Sequence, residues 1–359
     1  MSALPMAFFL ACSWFWCIGG FFPVLLAQDF GQIAVLFFML VNVVGATAFG
    51  LVWREAARAR FLTRFRIPAQ GFSVLVAGYH VVFMTWLSTM LGNPLPLVAF
   101  LTVTGLFVVW RRRLAALAAP LFVLTVALFA VVLTSMPMAQ ESAAVPLQPF
   151  SHQILPLALG FFLAPYFDLT FHRAFAESRY PKRVFLLGLG LMFMVLIVGM
   201  ALTVPAFALL TSASSLSGTT LSAVVAILVL QTGFTTAAHI REVAGTGWLR
   251  GRNGLSVLVG IAVLSGLHAV VGVAMPDEAA VAGELVYRMF LFLIGVLFPV
   301  ILLFGGVNRQ TVLAMAFLTP CYTLGFLIGG TYAPFLSVGM LGLGSMLLLR
   351  FRAVQSHQS

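Results

Sequence analysis

Charge is what this 359-residue sequence has least of: Asp, Glu, Lys and Arg together make up 8% of it. A soluble chain carries roughly a quarter of its residues as charges to cover its surface, so a water-soluble globular fold is excluded. Acidic residues are the scarcer sign, 9 against 19 Lys and Arg. The resulting net charge of +10 would suggest nucleic acid in a soluble protein, but here the basic residues sit in short breaks between apolar runs, where membrane topology accounts for them. No nucleic-acid partner is expected. Alternating strands with regular turns are also missing, which excludes an outer-membrane barrel. The three cysteines, Cys12, Cys17 and Cys321, lie inside apolar runs at no metal or redox spacing, so neither a disulfide framework nor a zinc site follows. Metalloprotease, prenyltransferase and serine-hydrolase motifs are absent, so the chain reads as no enzyme and needs no organic cofactor. The first apolar run has no basic region before it and no small-residue cleavage site after it. It is read as a membrane helix, with no soluble domain expected before or after the membrane part.

What the sequence does have is apolar length. Hydrophobic residues are 62% of the chain and fall in runs of about 20, the length that crosses a bilayer as a helix. The predicted spans are 6–27, 31–52, 70–91, 94–110, 114–136, 153–173, 184–205, 217–241, 254–275, 285–305, 309–329 and 332–349, an all-α polytopic membrane protein of about twelve helices. With the N-terminus cytoplasmic, every Lys and Arg except Arg288 falls in an inner loop or the C-terminal tail. That asymmetry orients the chain with both termini inside a bacterial inner membrane and the lipid bilayer as its first partner.

Two twelve-helix plans fit. The major-facilitator plan joins two six-helix halves by a long inner loop and marks the loop after span 2 with glycine; here the loop after span 6 is short and "REAARARFLTRFR" has no glycine. In the other plan spans 1–5 and 6–10 are inverted repeats whose first helices are both broken near the midplane. Span 1 carries Gly19-Gly20 and span 6 carries Pro165, so a break is expected at similar depth in each. Residues 1–136 would form the first repeat, 153–305 the second, and 306–359 two accessory helices with a cytoplasmic tail.

After Pro165 the chain runs "FHRAFAESRYPKRVFLLGLG" (171–190), and span 8 contains "QTGFTTAAHI" (231–240). These segments resemble the sodium/solute symporter family of LeuT-fold transporters. His172-Arg173 would stand where the family has a Gln-Arg pair, and Thr235-Thr236 where it has adjacent hydroxyl residues. The resemblance implies a LeuT-type five-plus-five inverted repeat and a sodium ion held by the Thr235 and Thr236 hydroxyls with span 1 groups around Ser13 and Trp16. Sodium takes oxygen ligands, which unwound carbonyls and hydroxyls supply without a carboxylate.

The polar residues inside the spans carry the remaining expectations. A carboxylate at the depth of Asp168 is costly unless capped, paired or neutralised. It is expected to cap the second half of span 6, to contact a cationic solute or coupling ion, or to carry a proton. His172, four residues on, would complete a proton relay with it, and the His172-Arg173 pair is also placed at the inner interface. His80, His239 and His268 read as hydrogen-bonded interior residues. Asn42, Gly45 and Gly50 form a close-packing face. Trp14, Gly19, Gly20, Pro165, Tyr166 and Asp168 are the candidate solute-binding residues, aromatic rings closing over a small organic molecule at the two breaks. The expected function is a secondary active transporter of such a solute, a symporter driven by sodium or protons. A non-transporting membrane sensor or partner subunit with a transporter-like body and a major-facilitator-type transporter are the alternatives, and the oligomeric state is left open.

Overall fold

In the computed structural model, which describes residues 3–15, 17–136, 150–210, 217–247, 251–275 and 279–356, the chain is helical with no strand among the described residues. The elements are α1 (Ala3–Trp14), α2 (Cys17–Phe30), α3 (Gln32–Val52), α4 (Glu55–Arg64), α5 (Arg66–Met90), α6 (Leu95–Val109), α7 (Leu114–Ser135), α8 (Ser151–Leu163) and α9 (Leu169–Glu177). They continue with α10 (Pro181–Phe185), α11 (Phe193–Ala208), α12 (Gly218–Val243), α13 (Gly251–Ala274), α14 (Ala279–Phe292), α15 (Phe298–Leu303), α16 (Arg309–Tyr322) and α17 (Pro334–Ser356). Wide π-turns at Leu186–Met192 and Leu293–Leu297 join α10 to α11 and α14 to α15 without ending the helix.

Among the described residues nine helices are long and apolar enough to cross a bilayer, or up to eleven if each of two bent pairs is one span. The chain is an integral membrane protein. One bent pair is α8 with α9, turned by 56° after the short Ala164–Phe167 turn; the other is α1 with α2, turned by 47°. In the first helix the chain leaves helical geometry at Phe15, and Trp16 lies outside the described residues. Gly19 and Gly20 are therefore not the break but part of α2, where a side chain at either would press within 3.3 Å of Phe15 or 3.1 Å of Leu228. Their role is close packing, which a glycine pair signals in sequence as readily as it signals a bend.

The sequence also read residues 53–66 as a loop. They contain α4, built from good helix formers, with Glu55 in its first turn and Arg64 in its last, each at the favourable end of the helix dipole.

Packing between helices is set by glycines at backbone contacts. A β-carbon built at Gly45 of α3 would lie 2.4 Å from the Phe161 carbonyl oxygen on α8, and one at Gly188 would lie 2.7 Å from the Ala7 carbonyl oxygen on α1. Gly160 and Gly295 meet in the same way, with a β-carbon at Gly160 only 2.9 Å from the Gly295 Cα. Lipid supplies no hydrophobic drive between helices, so such close approach supplies the dispersion energy that holds them. α1 lies against α7 and the Leu186–Met192 turn, α8 against α3 and the Leu293–Leu297 turn, α5 against α13, and α12 against α5, α6 and α7. The second half of the second broken helix, α9, is held among α1, α5 and α12.

Gly45→Ala should lower unfolding stability in detergent by about 1–3 kcal/mol through overpacking. Gly105→Ala, at a helical glycine with no neighbour within 4 Å of the new atom, should leave it unchanged or raise it. Thermal unfolding of the two variants beside the parent checks this.

Candidate functional site

The site begins with the reason α8 stops. Pro165 brings no backbone N–H, so the helix tightens into the Ala164–Phe167 turn, and Asp168 takes extended backbone angles (φ −75°, ψ 108°) before α9 starts. Asp168 is the N-cap of α9: its Oδ1 accepts from the Thr170 backbone N–H at 2.7 Å and from the Thr170 hydroxyl at 2.6 Å. Ser13 of α1 reaches the same Thr170 hydroxyl at 3.4 Å, which ties the two broken helices together. The second carboxylate oxygen, Oδ2, has no hydrogen-bond partner among the described residues. It faces His239 Nε2 of α12 at 3.9 Å, and both side chains are 0% exposed.

α12 and α5 complete a polar cluster. His239 Nδ1 lies 3.1 Å from the Ser73 hydroxyl. Thr236 gives its hydroxyl proton to the Thr232 carbonyl at 2.7 Å, so His80 Nδ1, at 2.8 Å from the same hydroxyl, is the donor there. The His80 Nε2 atom is left buried with no hydrogen-bond partner among the described residues. Thr235 donates to the Cys12 carbonyl of α1 at 3.1 Å, joining α12 to the end of α1 where the chain breaks. Sequence reasoning treated His80 and His239 singly and did not bring either to Asp168. The available signal was register: Thr232, Thr236 and His239 share one face of α12, and Ser73 and His80 share one face of α5.

The other predicted residues lie around this cluster. Trp14 donates its indole N–H to Asn42 Oδ1 at 2.7 Å and packs on Phe171, so it fastens α1 to α3. His172 turns away from the Asp168 carboxylate: its Nε2 meets the Tyr166 carbonyl at 2.8 Å, and its ring stacks on Phe61 beside Phe49 and Trp53. It is 2% exposed, held by rings and not at a polar interface. Arg58 of α4 donates to the His172 carbonyl at 3.3 Å and to Glu55 at 3.0 Å. The hydrogen bond from Arg58 holds the Glu55 carboxyl below its usual range.

Ion pairs close both ends of the bundle around these breaks. At one end Arg173 of α9 pairs with Glu242 of α12 and, at 2.8 Å, with Glu177, which Arg241 also reaches at 3.4 Å. At the other, Arg288 of α14 pairs with Asp29 at the end of α2 and with Glu284, donates to the Phe326 carbonyl at 3.1 Å and stacks over the Phe326 ring. Below that second closure is a cavity of about 120 Å³ lined by Phe21, Tyr79, Trp86 and Tyr287 with Glu284 and His268. Among the described residues no group of three His, Cys, Asp or Glu side chains is arranged to hold a metal ion.

Asp168→Ala should destabilise the protein by roughly 0.5–2 kcal/mol through loss of the cap, while Asp168→Asn, which can still accept from Thr170, should keep most of that stability. Equilibrium unfolding of both variants reads the difference. No family model matches the chain, and a search of the curated proteins finds no significant match.

Proposed function

We propose that this chain is a secondary transporter of a small organic solute, built as a LeuT-type five-plus-five inverted repeat with two accessory helices and working by alternating access. The observation that carries the reading is an exchange of packing partners. Advancing each span by five, with 6–10 returning to 1–5, turns one set of contacts into the other. The first half of span 1 (α1) packs on span 5 (α7) and span 7 (the Leu186–Met192 turn); the first half of span 6 (α8) packs on span 10 (the Leu293–Leu297 turn and α15) and span 2 (α3). Span 3 packs on span 9 (α5 on α13) as span 8 packs on span 4 (α12 on α6). The backbone contacts at Gly188–Ala7 and Gly45–Phe161 exchange in the same way. Both first helices are bent, as inverted-repeat transporters require at the site where solute and ion bind.

The basic loops orient this body with both termini in the cytoplasm of a bacterium and the Arg173–Glu242 closure inside. The Arg288–Asp29 closure then faces outward. The 120 Å³ aromatic cavity has the volume of roughly four waters at ~30 Å³ each, which suits a small organic solute. Its ring faces favour one with a cationic group. Sodium or protons supply the driving gradient. A sodium ion at Thr235 would replace the hydroxyl's bond to the Cys12 carbonyl, collecting both oxygens as ligands.

In proteoliposomes the protein should give saturable uptake of at least one organic cation from a solute panel. Tyr287→Ala, which removes a cavity wall, should raise the apparent KM about tenfold or more, the effect of a lost cation–ring and packing contact. Folded protein that neither moves nor binds any solute would contradict transport and favour the sensor reading. If sodium is the driver, sodium should raise the thermal midpoint relative to potassium, and Thr235→Ala/Thr236→Ala should abolish that shift; a shift that survives the double variant rejects this ion site.

A further inference from the structure

We propose that Asp168 and His239 together bind one proton, and that this proton locks the inner half of the broken sixth helix, α9, onto α12. Proton binding itself needs only the geometry; its role in coupling rests on the transport reading above.

The geometry singles out this pair. Asp168 spends Oδ1 on the α9 cap and presents Oδ2, fully buried and without a hydrogen-bond partner among the described residues, toward His239 Nε2 at 3.9 Å. That distance exceeds a hydrogen bond by about 1 Å, so a small movement of α9 toward α12 closes it. Among the described residues, Arg58 of α4, Arg173 of α9 and Arg241 of α12 have partners of their own. Arg173 of α9 pairs with Glu242 and Glu177, Arg241 with Glu177, and Arg58 with Glu55. On α5, His80 is bonded to Thr236; on α1, the Cys12 thiol donates to the Ala118 carbonyl at 3.5 Å. His172, the other histidine of α9, is bonded to the Tyr166 carbonyl. Among the described residues no Lys or Arg is paired with Asp168, and an unpaired charge at this depth costs several kcal/mol.

One added proton removes the charge. It resides on Oδ2, which then donates to Nε2, or on Nε2, which then donates to the carboxylate; in either arrangement the pair is neutral and bonded across two helices. Its loss leaves a carboxylate that must find water, and α9 is the part able to move. α9 is only nine residues long and is separated from α8 by the turn at Pro165, and Arg173 at its midpoint pairs with Glu242 of α12. Proton release to the cytoplasm would thus free α9 and open the inner path, which makes the gradient driving the solute a proton gradient. No bond other than those to the proton forms or breaks.

Infrared difference spectra between acid and alkaline buffer, on purified protein in lipid without sodium, test the site directly. The expected result is a protonated-carboxyl band in the parent that is lost in Asp168→Asn and shifted in His239→Gln, a variant that leaves the α9 cap intact. A band that persists unchanged in Asp168→Asn overturns the proposal, as does a band removed by sodium at constant pH, which would make the ligand a metal ion. In proteoliposomes, solute entry should alkalinise the outside and Asp168→Asn should lose accumulation driven by a proton gradient. Accumulation unaffected by Asp168→Asn overturns the coupling role. The expected band with no solute movement at all supports the proton site and removes the transport reading instead.

Discussion

A helix that breaks inside a bilayer exposes backbone N–H groups that lipid cannot satisfy, and at the start of α9 the Asp168 carboxylate meets that demand. The rest of the site depends on this. A neutral Ser or Thr cap would satisfy the same N–H, but a carboxylate brings a second oxygen and a charge, and both must be accommodated among α1, α5 and α12. Thr170 and His239 meet it directly, and the buried hydroxyls of Ser13 and Ser73 bond to those two in turn. Structure and chemistry meet in one residue: the group that lets the helix restart is also the one whose protonation would change its hold on the neighbouring helix.

The scaffold around the breaks is of a different kind. It is held by backbone proximity, with Gly45, Gly160 and Gly188 removing the side chains that would keep helices apart. Such contacts are stiff, because a β-carbon has no room, and they fix α1 and α8 against their partners. α9 and α2 are anchored by side chains, through Arg173–Glu242 from the middle of α9 and Arg288–Asp29 at the end of α2. Glu242 and Arg288 are largely buried, so a body with stiff halves that rocks between two states must give these ion pairs new partners as they part.

Much of this was legible in the sequence, and what was not has physical reasons. Apolar runs of bilayer length are a strong signal, and helices occur at the positions they indicate. Pro165 and Asp168 were readable because proline and a following cap residue act locally, on backbone geometry and on the next turn. Gly19-Gly20 misplaced the bend in the first helix, because glycine serves equally for bending and for packing, and here it packs. The helix α4 was missed because its arginines suggested a loop, although its residues are good helix formers. His239 was beyond reach for another reason: it meets Asp168 across 71 positions of sequence, and no local pattern reports which helices touch. The same holds for Arg288, an exception to the charge asymmetry that its pairing with Asp29 and Glu284 explains.

The central claim is that the buried cluster between α1 and α9 opens alternately to the two sides of the membrane. Ser13, at 0% exposure and in contact with Thr170, lies within it. In a chain with Cys12, Cys17 and Cys321 replaced, Ser13→Cys should react with a membrane-impermeant thiol reagent from one side, and reversing the gradient should move that reactivity to the other. A folded protein whose Ser13→Cys thiol stays unreactive from both sides under every gradient would contradict the account.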